Sequence, residues 1–322
     1  MIPPAQRDAI STLATGALDG FSRSRKYLAG ISGGADSMAL LAALSEAGFR
    51  RVIVCHLSHG IRPESADAEA RMVERCARSR GYTFEHGICD SRRHADTSGM
   101  SLEAAARDLR LKFFEACGKS HRCRRIFLAH HADDQVETVL HNLVRGTGLA
   151  GLAGISPVSL VGTLTLLRPF LGLRRSDLRA WVQSRKVPFV DDPTNSRTDS
   201  TRNRIRNILA PAMEKTFGTG WQRGILRAAG IARTENAWAA ENTPRLGKKI
   251  PVPQLTSLSP AIQRRAVLEW LRDSGIPEPG FAETERVLGL LAKDGPAKIN
   301  LPGNCHARRR AGFLFLERPQ AG

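Results

Sequence analysis

Residues 27–44 have the sequence YLAGISGGADSMALLAAL, and this stretch decides the fold. Its first five residues form a short apolar run, which predicts a buried β-strand. Residues 38–44 are apolar and rich in strong helix formers, so they predict a helix. Between the two lies a polar loop with adjacent glycines at positions 33 and 34. A strand that passes through glycines into a helix is typical of an α/β protein that holds an anion at the helix N-terminus.

Strands and helices continue to alternate as far as residue 144. Apolar runs predict three further strands, at residues 51–57, 82–85 and 125–129. Amphipathic segments predict helices at residues 6–20, 65–79, 101–117, 132–144, 176–183 (with Ser176 as N-cap) and 202–213. The alternation predicts a parallel, doubly wound, Rossmann-like α/β sheet whose ligands bind beyond the C-terminal ends of the strands.

The last hundred residues differ from this pattern and predict a second, mostly helical domain. Helices are predicted near residues 222–240, 259–273 and 281–292, with a short β-like end at 312–316. We therefore expect domains at residues 1–216 and 217–322, because 322 residues exceed one ordinary compact domain.

The charge of the chain indicates a polyanionic partner. Lys and Arg total 48 against 31 Asp and Glu, for a formal charge of +17, and nucleic acid is the commonest partner of so basic a surface. None of the six cysteines forms a Cys-x-x-Cys pair, and no run of about 18 apolar residues occurs. The N-terminus does not resemble a signal peptide. We expect a cytoplasmic protein that does not contact membranes, and no protein partner is predicted.

The loop after the first strand has the composition of a phosphate site. Its backbone amides and hydroxyl groups can donate to an anion at the positive end of the following helix. Asp36 would repel a phosphate unless a cation, of which Mg²⁺ is the obvious choice, lies between them. The alternative is a plain glycine turn with Asp36 as a helix cap. The predicted phosphate-binding residues are Ser32, Gly33, Gly34, Ala35, Asp36 and Ser37.

A second polar cluster, HHADDQVET, occupies residues 130–138, where the strand at 125–129 ends. The spacing of His130, Asp134 and Glu137 predicts that one helical face carries all three. Such a face could hold a metal, orient a base or stabilise charge on a leaving phosphate. The alternative is an Asp-rich helix start that only complements the helix dipole.

These motifs together resemble a known family. The Ser-Gly-Gly-x-Asp-Ser loop is similar to that of the N-type ATP pyrophosphatases, the adenine nucleotide α-hydrolase-like group. The combination with residues 130–138 and RGTGLAGLAG at 145–154 resembles the tRNA(Ile)-lysidine synthetases. Further matches are HLSHGIRPES at 56–65, EAAARDLR at 103–110, DPTN at 192–195 and RNRIR at 202–206. Ser58 departs from this pattern, since the family commonly has a larger polar residue there.

The resemblance implies an ATP-dependent ligase that acts on tRNA(Ile) with anticodon CAU. The C2 oxygen of cytidine 34 is adenylated with release of pyrophosphate, and free lysine then displaces AMP to form lysidine. It further implies ATP as co-substrate, Mg²⁺ held by Asp36 and Glu137, and catalytic roles for Asp36, Arg107, His130 and Asp134. The arginines that it implies for tRNA contacts are Arg110, Arg145, Arg202, Arg204 and Arg206.

Three other functions fit parts of the sequence. A tRNA thiolase would use the same ATP chemistry but commonly has paired cysteines, which are absent here. An NAD or GMP synthetase would not need the large positive charge. A catalytically inactive RNA-binding protein would be expected to have lost Asp36 or Asp134, and both are present.

Overall fold

A computed structural model describes residues 11–58, 63–191 and 200–318, with the backbone alone for residues 63–66. The motif residues 59–62 and 192–199 lie outside this part. The chain divides into two compact units, residues 1–233 and 234–322. This division lies inside a long helix, 17 residues after the predicted domain boundary at 216/217. The predicted boundary concerns functional domains and stays a prediction.

The first unit contains a six-stranded, mainly parallel sheet in its described part, and this confirms the predicted α/β fold. The strands are β1 (Tyr27–Gly30), β2 (Val52–Ser58), β3 (Thr83–Ile88), β4 (Arg125–Phe127), β5 (Val158–Val161) and β6 (Leu164–Leu167). Their order in the sheet is β3-β2-β1-β4-β6-β5, with only β5 antiparallel to its neighbour. Successive strands are therefore added on one side of β1 as far as β3 and on its other side from β4, and α/β sheets bind ligands at such a switch point between β1 and β4.

Helices cover the sheet, and the largest core lies between it and α2 and α8. Leu40, Leu41 and Trp181 are fully buried there. The first helix, α1, is described over residues 11–16 and ends four residues before its predicted end. The others are α2 (Ala35–Glu46), α3 (Pro63–Arg78), α4 (Ser91–Ser98), α5 (Leu102–Ser120), α6 (Ala132–Val144), α7 (Leu149–Leu152) and α8 (Arg175–Ser184).

Ser176 is not the N-cap of α8, contrary to the prediction. Arg174 occupies the cap position, and the carboxylate of Asp133 in α6 accepts the hydrogen bond of the Arg175 N–H at 2.8 Å. The cap therefore comes from a residue 42 positions away, which local sequence does not reveal. Helix α4 and the β5–β6 hairpin were also missed.

The basic helix predicted at 202–213 is an α–π–α segment rather than one uniform helix. It consists of α9 (Thr201–Arg204), a π-helical turn (Ile205–Leu209) and α10 (Ala210–Phe217). Pro211 follows the turn, and a proline ring clashes with the carbonyl four residues earlier in an α-helix. The wider π turn accommodates this residue. It is followed by α11 (Trp221–Glu241), which crosses the division between the units.

The second unit combines helices with an antiparallel sheet of four strands in its described part. The sheet order is β7-β10-β9-β8, and Trp270 donates from its indole N–H to the Gly247 carbonyl at 3.0 Å. The elements are β7 (Lys249–Pro251), α12 (Val252–Thr256), α13 (Pro260–Asp273), α14 (Phe281–Gly289), β8 (Lys298–Leu301), β9 (Cys305–Arg310) and β10 (Phe313–Glu317). The sequence predicted α13, α14 and the last strand, whereas α12 and the other three strands were not predicted.

Within the ranges that the structure describes, none of the helices has the length and apolar character needed to cross a membrane.

Candidate active site

The phosphate loop lies between β1 and α2, at the C-terminal edge of the sheet. Ser37 stabilises the conformation of the loop through two hydrogen bonds. Its hydroxyl donates to the Gly34 carbonyl at 2.9 Å and accepts from the Ser32 N–H at 3.2 Å. Gly33 has φ +90°, and a Cβ there would lie 2.6 Å from the Glu69 carboxylate. Only glycine fits this position without strain. The amides at the start of α2 are thus presented toward an anion.

Asp36 has one carboxylate oxygen without a protein partner. Its Oδ1 is buried and accepts no hydrogen bond from the described residues. Its Oδ2 lies 3.5 Å from His131 Nε2 and 3.9 Å from Arg175 Nε. A buried, unpartnered carboxylate oxygen beside a phosphate loop suits a hard cation such as Mg²⁺. The residues present therefore fit the predicted role of Asp36.

His131, which sequence analysis overlooked, connects the two polar motifs. It is the N-cap of α6. Its ring Nδ1 accepts a hydrogen bond from the backbone N–H of Asp134 at 3.3 Å, and its backbone N–H donates to Asp134 Oδ2 at 3.1 Å. Because Nδ1 accepts, the proton of the neutral ring is assigned to Nε2. That nitrogen lies 3.5 Å from both Asp36 and Asp134. His131 thus fixes the carboxylates of α2 and α6 around one point.

The protonation of His131 reflects two opposing influences. Burial acts to lower its pKa, but the hydrogen bond to Asp36 and the charges of Asp134, Asp36 and Asp133 raise the pKa overall. Protonation would place a second N–H on Nδ1, which faces the amide of Asp134. The ring can therefore become charged only if the hydrogen bond between Nδ1 and the Asp134 amide, which caps α6, is broken.

His130 lies before α6, so the prediction that one helical face carries it with Asp134 and Glu137 is wrong. The helix begins at Ala132, and His130 belongs to the connection from β4. Burial is the main cause that lowers the pKa of His130 to about 4, against the charge of Asp134. Its Nδ1 is buried without a hydrogen-bond partner among the described residues. A neutral His130 can exchange a hydrogen bond with a ligand but cannot supply positive charge at pH 7.

Acid unfolding should report this burial. The pKa of His130 is lower in the folded protein than its unfolded value of about 6.5. The neutral ring therefore contributes fully to the free energy of unfolding above pH 6.5, and this contribution is lost as the pH falls to about 4. We expect the free energy of unfolding of the wild type to fall by about 3 kcal/mol more than that of His130→Asn over this interval. Urea unfolding at several pH values measures the difference, and parallel curves would contradict it.

Three arginines, Arg107, Arg168 and Arg202, lie near enough to His130 for their charges to lower its pKa. Burial lowers the pKa of Arg110, and repulsion by Arg107 and Arg202 lowers it further, although part of the side chain stays exposed. Burial and Arg107 lower the pKa of Arg168. Arg202 lies 3.4 Å from the carboxylates of both Glu103 and Glu137, so the positive charge of the group is partly neutralised. Guanidinium groups clustered in this way favour a polyanionic ligand. The structure thus brings Arg107, Arg110 and Arg202 to the predicted site and adds Arg168.

Two other predicted tRNA-contacting arginines are exposed and not part of this group. Arg145 follows the C-terminal end of α6 and contacts His141, about 18 Å along the helix from its first residue. Arg204 contacts Thr201 at the start of α9. Their role in binding tRNA stays a prediction.

Glu137 forms an ion pair with Arg206, and Arg202 lies near the same carboxylate at 3.4 Å. Arg206 donates to both carboxylate oxygens, at 2.7 and 3.0 Å, and the Glu137 side chain is only 6% exposed. Burial raises the pKa of Glu137 and the guanidinium of Arg206 opposes that rise. Among the described residues no cluster of three acidic, His or Cys side chains could hold a metal ion. The pairing therefore opposes the predicted Mg²⁺ role of Glu137.

Loss of Arg206 should consequently destabilise the fold. Arg206→Ala would remove two hydrogen bonds from the buried Glu137 carboxylate and leave it the contact with Arg202 Nε at 3.4 Å. We expect the free energy of unfolding to fall by about 2 kcal/mol. Arg204→Ala, at an exposed neighbour, is the control and should change it by less than about 0.5 kcal/mol. Chemical denaturation measures both. A stable Arg206→Ala protein whose tRNA affinity is less salt-dependent would restore the phosphate-binding role.

The loop, the switch point and the free Asp36 oxygen define an ATP-using protein of the PP-loop class. The PP-loop domain family matches residues 6–213, and the TilS substrate binding domain matches residues 251–315. The chain is 32% identical to the tRNA(Ile)-lysidine synthase of Solibacter usitatus over 317 residues, covering 93% of this chain and 70% of that protein. It belongs to the tRNA(Ile)-lysidine synthase family, which confirms the resemblance seen in the sequence motifs.

A second relative and one solved structure complete the comparison. The tRNA(Ile)-lysidine synthase of Bacillus licheniformis is 33% identical over 286 residues, covering 84% of this chain and 60% of that protein. The U34-tRNA thiolase NcsA from Methanococcus maripaludis, with its [4Fe-4S] cluster, aligns with a TM-score of 0.56 at 16% identity, over 70% of this chain and 78% of that chain. This likeness concerns the fold alone. The family is one of ATP-dependent carbon–nitrogen ligases that act on tRNA.

Proposed function

We propose that this chain forms lysidine at cytidine 34 of tRNA(Ile) with anticodon CAU. The C2 oxygen of the base attacks the α-phosphorus of ATP, and the bond to pyrophosphate breaks. The side-chain amine of free lysine then attacks C2, loses a proton, and the former C2 oxygen leaves with AMP. Adenylation is needed because a urea-like oxygen is a poor leaving group and AMP is a good one.

The contact that carries the proposal is His131, which joins Asp36 of the phosphate loop to Asp134 of the second motif. The amides of residues 33–37 would hold the ATP phosphates, and Ser32 and Ser37 would add hydroxyl donors. Asp36 would hold Mg²⁺, which takes up negative charge when pyrophosphate departs. Asp134 and His131 would keep the Asp36 carboxylate oriented while the phosphate bond breaks.

The arginines around His130 would place the tRNA. Arg107 and Arg110 lie on α5 and Arg202 on α9. The charges of Arg107 and Arg202 act on His130, and Arg110 is close to both of these arginines. Guanidinium groups so arranged would hold the phosphates near cytidine 34 and leave His130, as a neutral ring, to contact the base edge. Phosphate contacts of this kind supply affinity and salt dependence more than sequence choice.

The cysteines do not favour the alternative of a thiolase. Cys55, Cys76, Cys117, Cys123 and Cys305 are buried, and only Cys89 is partly exposed. A sulfur-transferring enzyme needs an accessible, reactive thiol or a cluster site. The thiol usage also agrees with a reducing cytoplasm.

Incorporation of labelled lysine into tRNA with a CAU anticodon, in the presence of ATP and Mg²⁺, tests the proposal. The modified nucleoside is identified by mass analysis, and reactions without ATP, or with a tRNA whose anticodon is GAU, are the controls. We expect label on the CAU cytidine only. No label together with tRNA-dependent pyrophosphate release would keep the adenylation but refute lysine as the nucleophile, and a sulfur donor would be tested next.

A further inference from the structure

One face of the second unit's sheet is turned away from its hydrophobic core. Ile250, Leu301, Ala307 and Leu314 are buried in that core together with α13 and α14 residues. Because neighbouring residues of a strand point to opposite faces, the residues between them lie on the other side. We call this side the outer sheet face; it comprises Lys249, Pro251, Lys298, Asn300, His306, Arg308, Arg310, Phe313, Phe315 and Glu317.

The strand register arranges these side chains in rows. Lys249, Phe315, Arg308 and Lys298 are successive cross-strand partners, so a phenylalanine ring has a cation on either side. In the adjacent row, Phe313 pairs with Arg310. Directly paired residues have Cβ atoms about 5 Å apart, within contact distance for such side chains.

The outer sheet face is charged, and most of its side chains are exposed, whereas His306, Arg308 and Phe315 are half-buried. Phe313 is 42% exposed, and Lys249, Lys298 and Arg310 are exposed. Of the four cations, Arg308 forms an ion pair with Glu317 at 2.6 Å. Glu317 is also the only carboxylate on these strand positions. An excess of positive charge around two aromatic rings is complementary to a nucleic acid.

The three successive arginines of β9 have two different roles. Arg309 points toward the core side, where its guanidinium donates to the carbonyls of Leu290 and Ala292 at 3.0 and 2.7 Å, beyond the end of α14. On the outer sheet face, Arg308 pairs with Glu317 on the neighbouring strand, and Arg310 has no side-chain hydrogen bond or ion pair within the described residues. Stability of the fold alone therefore does not explain why three arginines follow one another in β9.

We propose that the outer sheet face binds unpaired nucleotides of the tRNA, which stack on Phe313 and Phe315 while Arg310, Lys249 and Lys298 contact their phosphates. Bases that are free of a helix stack on aromatic rings presented by sheets, and a paired stem offers no such bases. The identity of the RNA rests on the proposed function; the stacking surface itself does not.

Binding of the full chain to the CAU-anticodon tRNA, without ATP or lysine, tests this inference. Phe313→Leu keeps an apolar side chain but removes the ring, and we expect about a tenfold loss of affinity. Arg310→Gln should reduce the slope of log affinity against log salt by about 0.7. Arg272→Gln is the matched control, because it removes a charge from α13, which packs on the core side.

The outcomes separate this inference from the proposed function. Unchanged affinity of Phe313→Leu would overturn it, as would an equal loss in Arg272→Gln. A change in self-association of Phe313→Leu, seen by light scattering at constant RNA affinity, would assign the surface to a second copy and also overturn it. If the wild type binds tRNA through these residues but incorporates no lysine, only the proposed function fails.

Discussion

Asp36→Asn is expected to slow tRNA-dependent pyrophosphate release by about a hundred- to a thousandfold, while the protein stays folded. The substitution keeps the shape of the side chain but removes the charge that would hold a cation against the departing phosphates. In the structure, Oδ1 of Asp36 has no described protein partner, so the fold loses little when this oxygen changes. Single-turnover measurement of labelled pyrophosphate gives the rate.

The control for this variant is Asp19→Asn. Asp19 is an exposed carboxylate of the same unit, paired only with Arg23 at 2.8 Å, and its loss should leave the rate unchanged. The thermal unfolding temperature and the tRNA affinity of Asp36→Asn should match the wild type. If pyrophosphate is still released at the wild-type rate, Asp36 has no part in the chemistry.

His131→Asn is expected to lower the same rate by about a hundredfold and to change stability little. Asparagine is among the best N-cap residues, so it should preserve the first turn of α6. Its shorter side chain cannot reach Asp36, from which the imidazole Nε2 lies 3.5 Å away. The substitution therefore separates capping of α6 from the orientation of the Asp36 and Asp134 carboxylates.

Stability and kinetics together decide this second prediction. The free energy of unfolding should stay within about 1 kcal/mol of the wild type, and the Michaelis constant for ATP should change less than the turnover number. His131→Ala, which lacks the cap, is the comparison and should lose both stability and rate. An unimpaired rate in His131→Asn would show that the contact with Asp36 is dispensable.

The phosphate loop and the parallel α/β sheet were predictable because the alternation of strands and helices is visible in the local sequence. The strand, the glycines at 33 and 34 and the helix are contiguous, and right-handed connections restrict how such units assemble. The position of His131 was less accessible, since its contact with Asp36 joins residues 95 apart. The spacing of an N-cap and an acidic third residue in His131–Asp134 is the signal that could have identified it.

Other features depend on partners that are distant in sequence. Glu137 lies one helical turn beyond Asp134, and that spacing does not distinguish a metal ligand from an ion pair. Its partner Arg206 is 69 residues away. Strand β9 has the sequence CHARRR, which lacks the apolar alternation of a typical strand because Arg309 reaches past the core to cap a helix. Tertiary contacts, not local preference, determine both.

The π turn at Ile205–Leu209 contains one residue more than the α-helical turn from which it differs, and it lies directly before Pro211. Deleting one residue here would convert the turn to α-helical geometry and restore the clash with the proline ring. Homologues with an unbroken helix should therefore lack both the extra residue and the proline, so that the two changes are inherited together.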